Sequence, residues 1–423
     1  MASVGAAGGG VCERVFDGRV ESPSDGVKRR RARTIAAVAK PTGSGRPRPR
    51  RLDRLPEQYF GALLGRVADA AADGGPPVID LGRGNPEVGP PAHVVEALKE
   101  SAERPDSHGY APFRGLPELR VSIARRYRDH YGAEIDPDTE VAVVPGTKAA
   151  LLELALALAQ SGDRILLPDP GYPDYSSGIA LAGAEMGFVP LDPAAGWQPD
   201  LASAPPAAAL YLNFPSNPCA ICAGDGLFEA AVDYAGRTGT AIVHDAAYND
   251  LVFDDRKPES FLATPGAKEV GVELWTMSKT FGMAGWRLGF VLGNADIVER
   301  VNLLNDHSRV GIFAPLQNAA IAALDGPQDS VEERRAGYER RRDRLAAALP
   351  EPPVCEGTFY VWLRLPDGLT PDRLLVEHRV AVAPGEGFGP SGAGWARISL
   401  AVTDEILEAG IERLAPALEA AYA

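Results

Sequence analysis

Thr276-Met277-Ser278-Lys279-Thr280-Phe281-Gly282-Met283-Ala284-Gly285-Trp286-Arg287-Leu288-Gly289 closes a short β-type run over residues 274–277. In sheets whose strands alternate with helices, ligands bind beyond the carboxyl ends of the strands. A lysine in that position can condense with an aldehyde cofactor, while neighbouring hydroxyls and Arg287 can hold a phosphate. Taken alone, the stretch suits a surface lysine beside a glycine-rich turn equally well, so its neighbours must arbitrate.

Four other segments supply that context. His244-Asp245-Ala246-Ala247-Tyr248 follows a buried-type run at 241–243. An aspartate ending such a strand can keep a pyridine nitrogen protonated and make the ring an electron sink, although an isolated aspartate there more often caps a helix. Leu212-Asn213-Phe214-Pro215-Ser216-Asn217-Pro218 ends another run, where Pro218 suits a tight, cis-type connection that aims Asn217 into a site. Pro145-Gly146-Thr147-Lys148 joins a strand to a helix, and the free N–H groups of a helix start form a phosphate cradle. In Gly394-Trp395-Ala396-Arg397-Ile398-Ser399-Leu400, Arg397 can clamp a carboxylate through two parallel hydrogen bonds.

The wider pattern is strand–helix alternation. Strands are expected at 141–144, 164–167, 209–214, 241–244, 274–277 and 288–292, with helices between them such as 149–160 and 227–237. That spacing implies an α/β fold with a largely parallel sheet flanked by helices. A long helical region at 316–349, strands at 359–365, 380–382 and 396–400 and a closing helix at 404–422 read as a smaller α+β domain. A chain of 423 residues exceeds what one core usually supports. The expected division is a basic, disordered tail at 1–54, an arm at 55–90 that joins the small domain, a large domain at 91–315 and a small domain at 316–423. The tail carries 13 Lys/Arg against 5 Asp/Glu, a net of +8 within a chain of net −14, which leaves −22 for the body. An acidic body argues against general nucleic-acid binding. Four scattered cysteines and the lack of a long apolar run fit a reducing, cytoplasmic setting without a membrane span.

Together and in this order, these segments resemble the fold type I enzymes that use pyridoxal 5′-phosphate (PLP), and within them the class I/II aminotransferases. The wording of the His244 and Lys279 segments looks closest to the branch containing LL-diaminopimelate aminotransferase. The resemblance covers residue 55 to the C-terminus and implies a seven-stranded, mostly parallel sheet in the large, cofactor-binding domain. It implies that Lys279 is the Schiff-base lysine and the proton carrier, that Asp245 holds the pyridinium nitrogen, and that Asn217 and Tyr248 bond the cofactor's phenolic oxygen. Tyr172 would stack on the ring, and Thr147, Lys148, Thr276, Ser278 and Arg287 would surround the phosphate. Tyr110 would reach the phosphate of a neighbouring subunit, which makes a homodimer the minimal active unit. Arg397, assisted by the backbone at Gly84 and by Asn217, would clamp the substrate α-carboxylate.

The chain also departs from the family pattern. Cys219-Ala220-Ile221-Cys222 follows Asn217-Pro218 where relatives have Thr-Gly, and with no second pair it is expected to be buried and inert rather than metal-binding. Arg114 replaces a small or neutral residue and is expected to be solvated; His108 is ambiguous. The function implied is transamination between an L-amino acid and a 2-oxo acid. The alternative is β- or γ-replacement, elimination or cyclisation, for instance of S-adenosylmethionine, because the same groups serve carbanion chemistry generally. A transcription regulator built on this fold would need a helix-turn-helix pattern, which residues 1–54 lack.

Overall fold

The computed structural model describes residues 49–422. Residues 1–48 of the expected tail lie outside the described residues, whereas Arg50–Asp53 form one helical turn. The arm follows as helix Tyr59–Ala71 and a two-residue strand β1 (Ile79–Asp80).

The large sheet is built from β2 (Val141–Val144), β3 (Arg164–Asp169), β4 (Glu185–Asp192), β5 (Gln198–Pro199), β6 (Ala209–Leu212), β7 (Ala241–Asp245), β8 (Gly271–Thr276) and β9 (Gly289–Gly293). Their order is β2-β9-β8-β7-β6-β3-β4-β5. Neighbours from β8 through β4 run parallel, and β9 and β5 pair antiparallel. The central strand β6 (Ala-Leu-Tyr-Leu) and the terminal strand β2 (Val-Ala-Val-Val) are both buried along their whole length, as continuous apolar runs require when helices cover both faces.

The sheet thus has eight strands where seven were expected, because the two-residue edge strand β5 is too short to leave a sequence period. β4 was not anticipated at all. It runs next to the edge with Met186 and Phe188 exposed and includes Gly187 and Pro190, so exposed and buried residues alternate only from Phe188 onward.

The smaller layer holds β10 (Tyr360–Arg364), β11 (Val380–Ala381), β12 (Ala383–Pro384) and β13 (Trp395–Ser399). β10, β13 and β12 form an antiparallel sheet, and β11 pairs with β1, which ties the arm to this layer. The expected helix at 316–349 is two helices, Ala314–Asp325 and Asp329–Ala346, interrupted at Gly326-Pro327 because proline disfavours helical backbone before it. Ala319, Ala320 and Ala323 of the first helix join the core on the large sheet, whereas Tyr338 and Leu345 of the second join the core of the small layer. The packing thus passes from one core to the other between these two helices, at Gly326–Gln328.

Burial sets the energetics of the small layer. In helix Pro371–Glu377, Leu374 is fully buried and Val376 is 69% exposed. Leu374→Ala is expected to cost about 2–5 kcal/mol and Val376→Ala no more than about 0.5 kcal/mol. Urea unfolding midpoints at unchanged slope would show this; equal shifts for the two variants would contradict the packing described.

Candidate active site

The carboxyl ends of β6, β7 and β8 open into a cavity of about 430 Å³. Asn213, Asp245, Thr276, Ser278 and Lys279 line its floor, and Phe60, Leu63 and Leu64 of helix Tyr59–Ala71 form an apolar wall. The convergence follows from topology. β2, β6, β7 and β8 run in the same direction, so the loops that leave them emerge on one side.

At the centre, the Nζ of Lys279 lies 3.5 Å from the Gly84 carbonyl oxygen and 5.1 Å from the Phe359 ring. Burial, with the charges of Arg397 and Arg287, lowers its pKa from the ordinary 10.5 to about 8, against a smaller opposing effect of Asp245. The next residue anchors this turn. Thr280 donates at 2.6 Å to Asp250, a buried carboxylate that also accepts from Arg126 and Tyr131, each at 2.7 Å. Burial opposes ionisation of Asp250, yet Arg126 and the other donors hold it well below the usual carboxylate range.

Asp245 is buried at the end of β7. Burial pushes its carboxyl upward, and the Tyr175 hydroxyl, donating at 2.9 Å to Oδ2, pulls it back. The main-chain oxygen of Asp245 accepts from Asn213 Nδ2 at 2.7 Å, and Asn213 Oδ1 accepts from Asn217 N at 2.8 Å. The peptide before Pro218 is cis. Asn217 Oδ1 in turn accepts from Arg397 Nη1 at 2.8 Å, which leaves the amide NH2 of Asn217 for a ligand.

The phosphate-type corner lies at the start of helix Thr147–Leu158. Gly146 sits here with φ +84°, and a Cβ would come within 2.2 Å of the Arg287 guanidinium, so backbone and arginine together form a cradle that a side chain would fill. Thr276 Oγ1 and Ser278 Oγ are 2.9 Å apart beside it. Lys148 takes a different partner from the one expected: its Nζ pairs with Asp174 at 2.7 Å, and Asp174 also accepts from Tyr172 at 2.7 Å. The side chain is half exposed at the rim.

Arg397 is fully buried, not solvated as a lone arginine would be. Its Nη2 donates to the Gly82 carbonyl at 3.2 Å, and the Tyr360 ring stacks 3.9 Å from its guanidinium carbon. The Nε is buried without a hydrogen-bond partner among the described residues, an open donor of the kind a carboxylate satisfies. Tyr360 lines the cavity and Arg397 stands behind it. Gly84 is tied to the same contact, because a Cβ there would lie 1.9 Å from the Tyr360 hydroxyl. Tyr248 closes the group, its hydroxyl 3.4 Å from that of Tyr360.

The structure thus gathers Gly84, Thr147, Lys148, Tyr172, Asn217, Asp245, Tyr248, Thr276, Ser278, Lys279 and Arg287 on one cavity, with Arg397 one ring behind. Tyr110 is outside it and 87% exposed. Three participants escaped the sequence reading. Tyr175 stands one helical turn after Tyr172, a spacing that could have flagged it; Asn213 lay in a quoted motif without a role; Tyr360 gave no signal beyond strand alternation. Elsewhere, Arg114 is exposed and ion-paired with Glu299 and Asp306 at 2.7 and 3.1 Å. Cys219 is buried, and burial pushes the Cys222 thiol up to about 12, which keeps it protonated. Among the described residues no cluster of three or more His, Cys, Asp or Glu could hold a metal.

PLP fits this donor set: an anion cradle, a buried carboxylate for a ring nitrogen and an amine of lowered basicity stand on one wall. Comparison with known proteins agrees. Residues 76–414 match the family described as Aminotransferase class I and II. The chain is 43% identical over 376 residues to the L-glutamine–4-(methylsulfanyl)-2-oxobutanoate aminotransferase of Bacillus subtilis, covering 86% of this chain and 94% of that protein. It is 38% identical over 379 residues to an LL-diaminopimelate aminotransferase of Dehalococcoides mccartyi, covering 86% and 97%. The substrate-bound structure of BacF from Bacillus subtilis superposes with a TM-score of 0.83 at 38% identity, covering 88% of this chain and 98% of that one. The chain belongs to the class I and II aminotransferases, PLP-dependent enzymes that exchange an amino group between an amino acid and an oxo acid.

Proposed function

We propose that Lys279 is the residue that holds PLP and moves the reacting proton, in the transamination of an L-amino acid whose side chain is predominantly apolar. The observation that carries this reading is the placement of the Lys279 amine in one cavity with Asp245, Asn217 and the cradle of Gly146 and Arg287; burial and the neighbouring guanidinium charges lower its basicity, so it can act both as nucleophile and as base. When bound, PLP supplies an electron sink for the bond broken at the substrate α-carbon. The chain's own groups supply the rest. Asp245 holds the ring nitrogen, Tyr172 covers the ring, and Asn217 and Tyr248 hold its phenolic oxygen. Gly146, Thr147, Thr276, Ser278 and Arg287 bind the phosphate, with Lys148 at the rim once it exchanges Asp174 for the anion. Arg397, Asn217 and the Gly84 backbone bind the α-carboxylate, and Tyr360 fixes the plane of the guanidinium.

The apolar wall of Phe60, Leu63 and Leu64 supports the substrate class. The relative whose name pairs L-glutamine with 4-(methylsulfanyl)-2-oxobutanoate supports it for one of the two partners, the oxo acid with an apolar thioether chain. Replacement or cyclisation is not favoured, because the named relatives are aminotransferases. We further place the enzyme as a homodimer in the reducing cytoplasm. Tyr110 is exposed and does not line the cavity of its own chain, Phe113 is exposed as well, and the free cysteines need no oxidant. Among the described residues no helix is long and apolar enough to cross a membrane.

The test is a half-reaction panel on the PLP-loaded enzyme, with methionine, phenylalanine, diaminopimelate and glutamate as donors. Oxo-acid release with loss of the cofactor's aldehyde form, reversed by added 2-oxo acid, is expected and should be fastest with the apolar donors. Preference for diaminopimelate would overturn the substrate class, and no half-reaction with any donor would overturn the whole reading. Lys279→Ala is expected to lower kcat by about 10³-fold or more. Arg397→Lys should lose the planar fork and raise KM about 30-fold, near 2 kcal/mol. PLP capture by the cofactor-free enzyme should quicken as pH rises, with a midpoint near 8 rather than the 10.5 of an ordinary lysine. A stopped-flow pH series measures this directly.

A further inference from the structure

A second buried charge system lies directly behind the cofactor-binding face and takes no part in the site described above. Successive residues of a strand point to opposite faces, so Asp245 faces the cavity and His244 faces the interior. His244 and Glu273 are both fully buried and stand opposite each other in the β7/β8 register. The Nδ1 of His244 is 2.8 Å from Glu273 Oε2, and its Nε2 is 2.9 Å from the Phe214 carbonyl oxygen. The rings of Phe228 and Phe261 surround it, 4.9 and 6.4 Å away between centroids.

Donor and acceptor accounting fixes the charge state of this pair. A carbonyl oxygen only accepts, so Nε2 carries a hydrogen. Glu273 already receives three other donors: the Tyr127 hydroxyl at 2.7 Å, the Ser260 hydroxyl at 3.0 and 3.1 Å and the Phe261 N–H at 2.9 Å. The Ser260 oxygen itself accepts from Leu262 N at 3.1 Å, which directs its own hydrogen to the carboxylate. Donors of this number favour the ionised acid, and a carboxylate facing Nδ1 requires a hydrogen there too. Both ring nitrogens therefore donate.

We infer that His244 is held as an imidazolium between Glu273 and the Phe214 carbonyl, and that it is a positioning residue whose charge keeps Asp245 anionic for the ring nitrogen of PLP. Asp245 needs such support. Around it stand Tyr175, Tyr172, Tyr211 and Tyr248 and the Lys279 amine, and among the described residues its carboxylate receives hydrogen bonds from Tyr175 at 2.9 Å and Ala247 N at 3.3 Å. In that buried setting a neighbouring cation decides whether the acid stays charged. Glu273 lies on the far side of the imidazolium and stops it from being an unpaired buried charge.

The inference rests on the assignment of Asp245 to the ring nitrogen, and the experiment separates the two. Nitrogen-15 spectra of histidine-labelled, cofactor-free wild-type protein should show hydrogen on both His244 nitrogens. A neutral tautomer there would overturn the inference without any variant. The second arm compares affinity for PLP and for its carbocyclic analogue, in which a CH replaces the ring nitrogen, in wild type and in His244→Gln/Glu273→Gln. That double variant keeps a neutral hydrogen-bonded pair. Wild type should prefer PLP, and the preference should fall about tenfold in the double variant, the equivalent of one pKa unit. If both ligands weaken equally, the pair is only structural and the inference fails. If wild type shows no preference, the assignment of Asp245 is wrong and the inference falls with it.

Discussion

One continuous chain of hydrogen bonds holds the two layers and the site together. It starts at the main-chain oxygen of Asp245 on β7, passes through the Asn213 side chain to the Asn217 backbone, leaves by the Asn217 side chain to Arg397 on β13, and ends at the Gly82 carbonyl of the arm. Every member is buried, and a buried polar group without a partner is costly, so each link constrains the next. The chain sets the distance between the Asp245 carboxylate and the Arg397 guanidinium. Those two groups come from strands more than 150 residues apart, and neither layer alone could hold them in register.

Charge is handled the same way throughout the interior. Asp250 gathers Arg126, Tyr131 and Thr280; Glu273 gathers His244, Tyr127 and Ser260; Arg397 is spread between two carbonyl-type oxygens and the face of Tyr360. Each buried charge is matched by donors, acceptors or an aromatic face, as the cost of desolvation demands. Lys279 differs. Among the described residues its hydrogen bond is to a carbonyl at 3.5 Å, and its surroundings disfavour the charged form. Asp245, the carboxylate whose charge opposes that effect, accepts from Tyr175 instead.

Close backbone approach is the second constraint. Gly84 lets the arm pass under the Tyr360 hydroxyl, and Gly146 lets the start of a helix meet the Arg287 guanidinium. Both glycines stand where the chain itself forms a wall of the site, which explains why Gly82-Arg83-Gly84-Asn85-Pro86 and Pro145-Gly146-Thr147-Lys148 are turns rather than extensions of their strands.

The sequence by itself determined the strand–helix alternation, the position of Lys279, Asp245 and Asn217 at strand ends, and the helix start at Thr147. These are local properties: apolar runs of strand length, turn residues that end them and a glycine before a helix are legible in one window of chain. What crosses the chain was not legible. Tyr175 reaches Asp245 from 70 residues away, Tyr360 covers Arg397 from the neighbouring strand, and Lys148 is drawn to Asp174. β4 was missed because its first half is exposed and Gly187 and Pro190 interrupt its apolar residues. Only the tertiary structure decided which charges are paired and which amine is left free, because desolvation acts on whatever groups packing brings together and is blind to their distance in sequence.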